Sequence, residues 1–479
     1  MSVEPVTYRA DKRASRIARR IEADIVRRGW TVGASLGSEH ELQQRYGVSR
    51  SVLREAVRLV EHHQVARMRR GPGGGLLICE PDAGPATRAV VIYLEYLGTT
   101  IADLLNARLV LEPLAAALAA ERIDEAGIER LRAFDQPPPS DEFHIALAEQ
   151  SKNPVLQLFI DVLMRLTRRY VRDSRTGSAS EASEAIDQMN KDHAEIVAAV
   201  TAGDSARAKT LSEQHVTAVT AWLQKYRGAG RARQPRRPAG VEAPRGKLAE
   251  VLAATIGDDI AAGGWQVGSV FGTETALLER YRVSRAVFRE AVRLLEYHAV
   301  AHMRRGPGGG LVVTKPQAQA SIDTIALYLQ YRKPSREDLR CVRDVIEIDN
   351  VSKVTKMAAD VVNGGPEVAE FLATVGKPKS ASPGDVAADV RQAAVEEYRF
   401  HGGLSQLAGN AVLDLFLRII VELFRRHWSS SEQALPTWDD VEAVEHAHAR
   451  ILEAIRAGDD SLARYRIRRH LDAAASWWL

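Results

Sequence analysis

At 479 residues the chain is too long for one ordinary core, and a prior of about 150 residues per domain suggests three or four. Hydrophobic residues at 45% and charged residues at 27% are ordinary globular values, which excludes wholesale disorder and a fibrous repeat. The net charge of +3 is unevenly spread: 1–80 carries +6, Lys225 to Gly240 +6 and 241–315 +2, so the rest carries −11. Two basic modules and a basic linker in an otherwise acidic chain point to a polyanion met locally, with nucleic acid the first candidate. The N-terminal MSVEPVTYRADKRASR has no apolar stretch for a signal peptide, and no run approaches the roughly 20 residues a bilayer requires. A cytoplasmic protein without a membrane partner is expected. Cys79 and Cys341 lie far apart with no CxxC pattern, so neither a disulfide framework nor a thiolate metal site is indicated.

A duplication organises the chain. YGVSRSVLREAVRLVEHHQVARMRRGPGGGLLI from Tyr46 and YRVSRAVFREAVRLLEYHAVAHMRRGPGGGLVV from Tyr281 agree at 24 of 33 positions, 235 residues apart. The same offset joins RLVLE at Arg108 to RDVIE at Arg343. It becomes 257 between FHIALAEQSKNPVLQLF and FHGGLSQLAGNAVLDLF, and 255 between HAEIVAAVTAGD and HARILEAIRAGD. The second copy therefore holds about 22 more residues between Glu347 and His401.

In chain order, Ile17, Ile21 and Ile25, and later Leu252, Ile256 and Ile260, mark the buried stripe of a first helix. A second helix is predicted from Ser38 to the break at Gly47, and a third from its cap Ser49 to about His62. On that third helix Leu53, Ala56, Val57 and Val60 face inward, leaving Arg50, Arg54 and Arg58 as an outer stripe. The second copy repeats the pattern with Phe288, Ala291, Val292 and Leu295 inside and Arg285, Arg289 and Arg293 outside, capped by Ser284. An arginine ridge on a packed helix suits a major groove, where guanidinium groups bond guanine edges or phosphates. The following VARMRR, GPGGG and LLIC read as a wing, with Arg69 and Arg70, and Arg304 and Arg305, placed near phosphate. GPGGG lacks the Lys-Ser/Thr of a nucleotide-binding loop and precedes a strand.

VSRSVLREAVRLVE and VSRAVFREAVRLLE, each with its wing, resemble the DNA-binding domain of the GntR family. That family usually reads close to Pro-Ser-Glu-Arg before the second helix, and the arginine commonly contacts DNA. Here His40 and Thr275 stand in its place, so the operator sequence does not carry over. The second copy also has Leu248, Val251, Ala254 and Thr255 where the first has Arg13, Arg16, Arg19 and Arg20, which predicts a weaker grip on phosphates.

After each wing the sequence turns Ala- and Leu-rich with helical spacing, as in a helical bundle. Glu397 and His401 are spaced i, i+4, and His448 and His470 come from two later helices. A carboxylate and three imidazoles suit a divalent transition metal such as Zn, Ni or Mn. The pattern resembles the FCD effector domain that accompanies one GntR subfamily, which implies a metal that receives carboxylate ligands. The first copy keeps His144, His193 and His215, but Ser140 occupies the acidic position and Asp141 is rotated about 100° from it, so a metal is less expected there. Arg108 and Arg343, each four residues before a glutamate, either pair with it structurally or reach the carboxylate of an effector.

The expected fold is mostly α: two winged helix-turn-helix domains and two all-helical FCD-like bundles in tandem. The expected boundaries are 1–80, 81–227 (shortened), a basic linker at 228–246, 247–315 and 316–479. The linker reads either as a solubilising tether or as an arm that grips phosphates. The expected function is a sequence-specific, non-enzymatic transcription regulator, by default a repressor. Its partners are a double-stranded DNA operator and a small carboxylate-bearing effector, and the two copies form an intramolecular pseudo-dimer open to further homodimerisation. Two other classes remain open: a metal-dependent hydrolase fused to DNA-binding modules, and a non-specific architectural DNA protein.

Overall fold

The structure is a computed structural model that describes residues 9–69, 71, 74–133, 140–173, 179–225, 245–360, 366–375, 386–428 and 438–474. The first repeat runs α1 (Arg9–Arg27), α2 (Glu39–Tyr46), α3 (Arg50–His62), β1 (Ala66–Arg69), β2 (Gly75–Ile78) and a connector, α4 (Ala83–Tyr96). Then follow α5 (Ile101–Arg122), α6 (Glu125–Arg132), α7 (Ser140–Gln150), α8 (Pro154–Asp173), α9 (Ala179–Thr201) and α10 (Ser205–Lys225). The second repeat begins with α11 (Arg245–Ala262), β3 (Val270–Gly272), α12 (Glu274–Tyr281), α13 (Arg285–Tyr297), β4 (Ala301–Arg304), β5 (Gly310–Val313) and a second connector, α14 (Ala318–Arg332). It ends with α15 (Arg336–Ala359), α16 (Pro366–Val375), α17 (Val386–Leu407), α18 (Ala411–Trp428), α19 (Trp438–Arg456) and α20 (Asp460–Ala474). The fold is mostly α, with two small winged sheets. Of the basic linker, 228–244 lies outside the described residues.

The chain forms two compact units, 1–90 with 319–333, and 91–318 with 334–479. In the first, α1, α2 and α3 close on one core because each carries a single apolar stripe, such as Ile21, Leu42 and Leu53, all fully buried. Ser38 caps α2 in a capping box with Glu41, and Gly47 ends it at φ 61°. The last glycine of GPGGG, Gly75, lets the wing approach the chain closely, since a Cβ there would lie 2.7 Å from Gly37 O.

This core is completed by the other repeat. The connector α14 lays Leu327 into it, and Tyr331 meets the Trp30 ring at 5.3 Å between centroids. Ser321 Oγ donates to Ala89 O of α4 at 3.0 Å. Within the second unit the arrangement is reciprocal: Ile92 and Tyr96 of α4 pack on the second winged core, with Tyr96 edge-on to Trp265 at 5.5 Å. Each winged core is thus covered by the connector of the other repeat.

The second unit also contains both helical bundles, which meet through equivalent residues. Phe159 of α8 and Phe416 of α18 stack with centroids 3.9 Å apart and planes at 8°. Asn153 accepts at Oδ1 from the N–H groups of Val155 and Leu156 at the start of α8 and donates from Nδ2 to Asp338 O. Asn410 does the same at α18, donating to Asp103 O. Each asparagine therefore caps its own helix and ties it to the first turn of the other repeat's long helix. No described helix is long and apolar enough to cross a membrane.

Two outcomes follow from this packing. Leu327→Ala should cost about 2–5 kcal/mol and lower hydrogen-exchange protection in α1 and α3 more than in α11 and α13; equal loss in both sets would contradict the exchanged connectors. Cys341 packs beside Asn153, 3.3 Å from its Nδ2, and burial pushes its thiol up to about 12. A raised pKa leaves almost no thiolate at pH 8, so iodoacetamide should modify Cys341 only on unfolding.

Candidate functional site

Helix α3 of the first repeat is held by its buried side, and its arginines stand outside. Arg50 and Arg54 are 65% and 54% exposed, and both donate to Glu39 at the start of α2, from Nε at 3.1 and 2.6 Å. Their hydrogen bonds, Arg50 first, hold the Glu39 carboxyl below its usual range. Arg58 is exposed one turn further on. In the second repeat Arg289 Nε lies 3.7 Å from Glu274, Arg293 donates to Glu290 at 2.9 Å, and Arg285 is exposed. Ser49 and Ser284 turn their Oγ atoms to their own helices, accepting from Val52 and Val287 N–H at 3.5 and 3.4 Å. On the wings Arg69, Arg304 and Arg305 are exposed, and Arg304 also donates to Gly308 O at 2.7 Å. Arg70 lies outside the described residues.

Glu39 was the member of this surface that residue pattern did not single out. It neutralises part of the arginine ridge, and its only sequence signal is an acidic residue following the α2 cap. Glu39→Gln should raise affinity for random duplex DNA about two- to tenfold at low salt, with the gain fading as salt is added. An unchanged low-salt affinity in a filter-binding titration would show that Glu39 does not oppose DNA.

The histidines converge in both bundles. In the second, Glu397 and His401 of α17 meet His448 of α19 and His470 of α20, with all four ligand atoms within 4.8 Å. His401 and His448 Nε2 stand 3.1 and 3.3 Å from His470 Nε2, and Glu397 oxygens stand 3.1 and 3.0 Å from the same His401 and His448 atoms. Donors bound at about 2.0–2.1 Å to one tetrahedral ion stand about 3.3 Å apart, so these residues fit a divalent cation. His401 Nδ1 pairs with Glu347 of α15, which fixes the ring and directs Nε2 inward. Burial disfavours charging His401, but Glu347 and Glu397 outweigh it and hold its pKa up to about 10, whereas burial pushes His448 down to about 4.

In the first bundle His144 of α7 meets His193 of α9 and His215 of α10. His193 and His215 Nε2 lie 3.3 Å apart, and burial lowers the two rings to about 2 and about 4. His144 Nδ1 pairs with Glu112 at 2.8 Å, as His401 does with Glu347. The side chains of Ser140 and Asp141 lie outside the described residues. Arg108, 3% exposed, donates to Glu112 at 2.5 Å and also points Nη2 at His144 Nε2, 3.4 Å away. Arg343 instead donates to Asp344 from Nε and Nη2, at 3.2 and 3.1 Å, and stands 3.8 Å from Glu347. The two glutamates that support the histidines were visible in RLVLE and RDVIE only as partners of the arginines.

Residues 13–75 match the bacterial regulatory proteins of the gntR family, and 140–218 and 338–473 match the FCD domain. The chain belongs to the GntR family. It is a DNA-binding regulator with FCD effector domains, present here in two copies. It is 28% identical over 208 residues to the HTH-type transcriptional regulator LutR of Bacillus subtilis, across 40% of this chain and 93% of LutR. It is 26% identical over 227 residues to a putative L-lactate dehydrogenase operon regulatory protein of Escherichia coli, across 44% of this chain and 86% of that one. A solved GntR protein of Streptococcus agalactiae covers 43% of this chain and 99% of its own, at 23% identity and a TM-score of 0.32. Each relative thus spans about one repeat.

Proposed function

We propose that this GntR protein represses transcription as an intramolecular pseudo-dimer, reading an imperfect palindrome with α3 and α13 and releasing it when a small carboxylate-bearing metabolite enters the FCD bundles. The observation that carries the reading is the pair of exposed arginine rows, Arg50, Arg54 and Arg58 against Arg285, Arg289 and Arg293, each on its own winged core. The stack of Phe159 on Phe416 supports the pseudo-dimer, because a like-on-like contact is what a two-fold pairing produces. Units at 1–80, 81–227, 247–315 and 316–479, joined by 228–246, accommodate this reading, with each connector lent to the other winged core. The relatives are named as regulators, which favours regulation over catalysis.

In the second bundle Glu397, His401, His448 and His470 would hold a Zn, Ni or Mn ion. That ion would supply a positive centre for the effector's carboxylate. A relative named for an L-lactate dehydrogenase operon supports a small carboxylate as the effector class. The chain offers a direct route from bundle to DNA. Glu347 lies on α15, which follows α14 after three residues, and α14 carries Leu327 and Tyr331 into the first winged core. The reciprocal route runs from Glu112 on α5 through α4 to the second core.

Selection of bound genomic fragments would define the operator, and binding at one fixed salt concentration would then test the reading helices. Arg54→Ala and Arg289→Ala should each weaken operator binding, by about 1–3 kcal/mol for a lost base contact, with the first repeat dominating. Operator affinity equal to the unsubstituted protein in both variants would remove α3 and α13 from the DNA interface. A metabolite screen on the bound operator should find release by a carboxylate.

A further inference from the structure

We infer that the residue following each bundle's buried arginine decides whether the histidine cluster takes a metal: Asp344 holds Arg343 aside from the second cluster, whereas Leu109 leaves Arg108 against His144, so each chain carries one ion. The inference deepens the proposed metal site in the second bundle and rests on it.

The two clusters share a scaffold and differ at its centre. His144 and His401 both face a glutamate through Nδ1, Glu112 and Glu347, so in each ring Nε2 is the nitrogen turned to the cluster and would be the one to bind a metal on losing any proton it holds. In the first bundle the Arg108 guanidinium lies 3.4 Å from that nitrogen. A guanidinium only donates, so it occupies the lone pair a metal would need and sets a fixed positive charge beside it. The same guanidinium is anchored on Glu112 at 2.5 Å, and both side chains are at most 3% exposed, so the arrangement has little room to relax.

In the second bundle Arg343 donates from Nε and Nη2 to Asp344 Oδ1, and its Cζ lies over the Phe424 ring at 5.7 Å. Its Nε to glutamate separation lengthens from 2.5 Å in the first bundle to 3.8 Å here. His401 Nε2 then faces Glu397 and His470 at 3.1 Å each. The position equivalent to Asp344 is Leu109, which is 39% exposed and offers no acceptor. Position 140 is also serine where the second repeat has Glu397, so the first repeat has no acidic residue at the sequence position of that ligand. Asp344 is therefore a positioning residue that acts through Arg343.

The test loads the full-length protein with Zn or Ni, removes free ion and counts bound metal by mass spectrometry. One ion per chain is expected, lost in Glu397→Gln and retained in His193→Ala. Asp344→Leu and the milder Asp344→Asn should weaken Zn binding at least tenfold against a competing chelator. Leu109→Asp with Ser140→Glu should raise the count toward two, a gain that a merely structural role for this position would not produce. Two ions in the unsubstituted chain, one of them lost in His193→Ala, would overturn the inference. So would unchanged affinity in both Asp344 variants, with the second metal site itself left standing. No bound ion at all would sink the metal reading and this inference together.

Discussion

Phe159 and Phe416 hold the same place in two repeats and lie face to face. Contact between equivalent positions arises where two copies are related by a two-fold operation, and that relation governs the neighbouring contacts. Asn153 reaches the first turn of α15 as Asn410 reaches the first turn of α5, so each bundle begins its long helix against the other. Because both halves belong to one chain, forming this interface does not cost the translational and rotational freedom that separate subunits lose. A contact formed within one chain does not depend on protein concentration, as one between separate chains does.

In a homodimer every substitution appears twice, and a change that improves one half must be tolerated in the other. The duplicated chain is free of that restriction. Leu109 stands where the second repeat has Asp344 and Ser140 where it has Glu397, so each repeat carries its own residues at these positions. The same holds at the arginine rows, where Glu39 bonds two arginines at 3.1 and 2.6 Å while Glu274 approaches Arg289 only at 3.7 Å. The apolar stripes that build each winged core stay equivalent while these charged positions differ.

Much of this was legible in the sequence, for physical reasons. Helical periodicity alone places Leu53 and Val57 inside and Arg50 and Arg54 outside, and the structure agrees. The joint recurrence of three histidines on separate helices announced two clusters. The exchanged connectors were not legible. The stripe of α14 shows that it must be buried, but Trp30 and Trp265 offer it two equivalent sites, and only tertiary structure selects between them. The direction of Arg108 and Arg343 was equally hidden, since an arginine four residues before a glutamate predicts a pair in both repeats. The neighbouring aspartate, present in one repeat, redirects one of them. Ser49 and Ser284 illustrate a smaller ambiguity: a serine before a recognition helix suits a phosphate contact or a cap, and both hydroxyls face their own helix.

The exchanged connectors give the asymmetry a direction. The second bundle, with the acidic cluster, follows directly in the chain on α14, the helix that completes the first winged core. That core also carries Arg13, Arg16, Arg19 and Arg20 on the exposed side of α1, where the second has Leu248, Val251, Ala254 and Thr255. The unit better equipped to hold phosphates is therefore the one joined covalently to the cluster better equipped to hold a cation. On the function proposed above, a ligand that favours one arrangement of α15 would act on the winged unit with the more basic α1, and an equal event in the first bundle on the other. With unexchanged connectors the pairing would be reversed, so in the proposed reading the packing of Tyr331 on Trp30 decides which bundle is joined to which winged core.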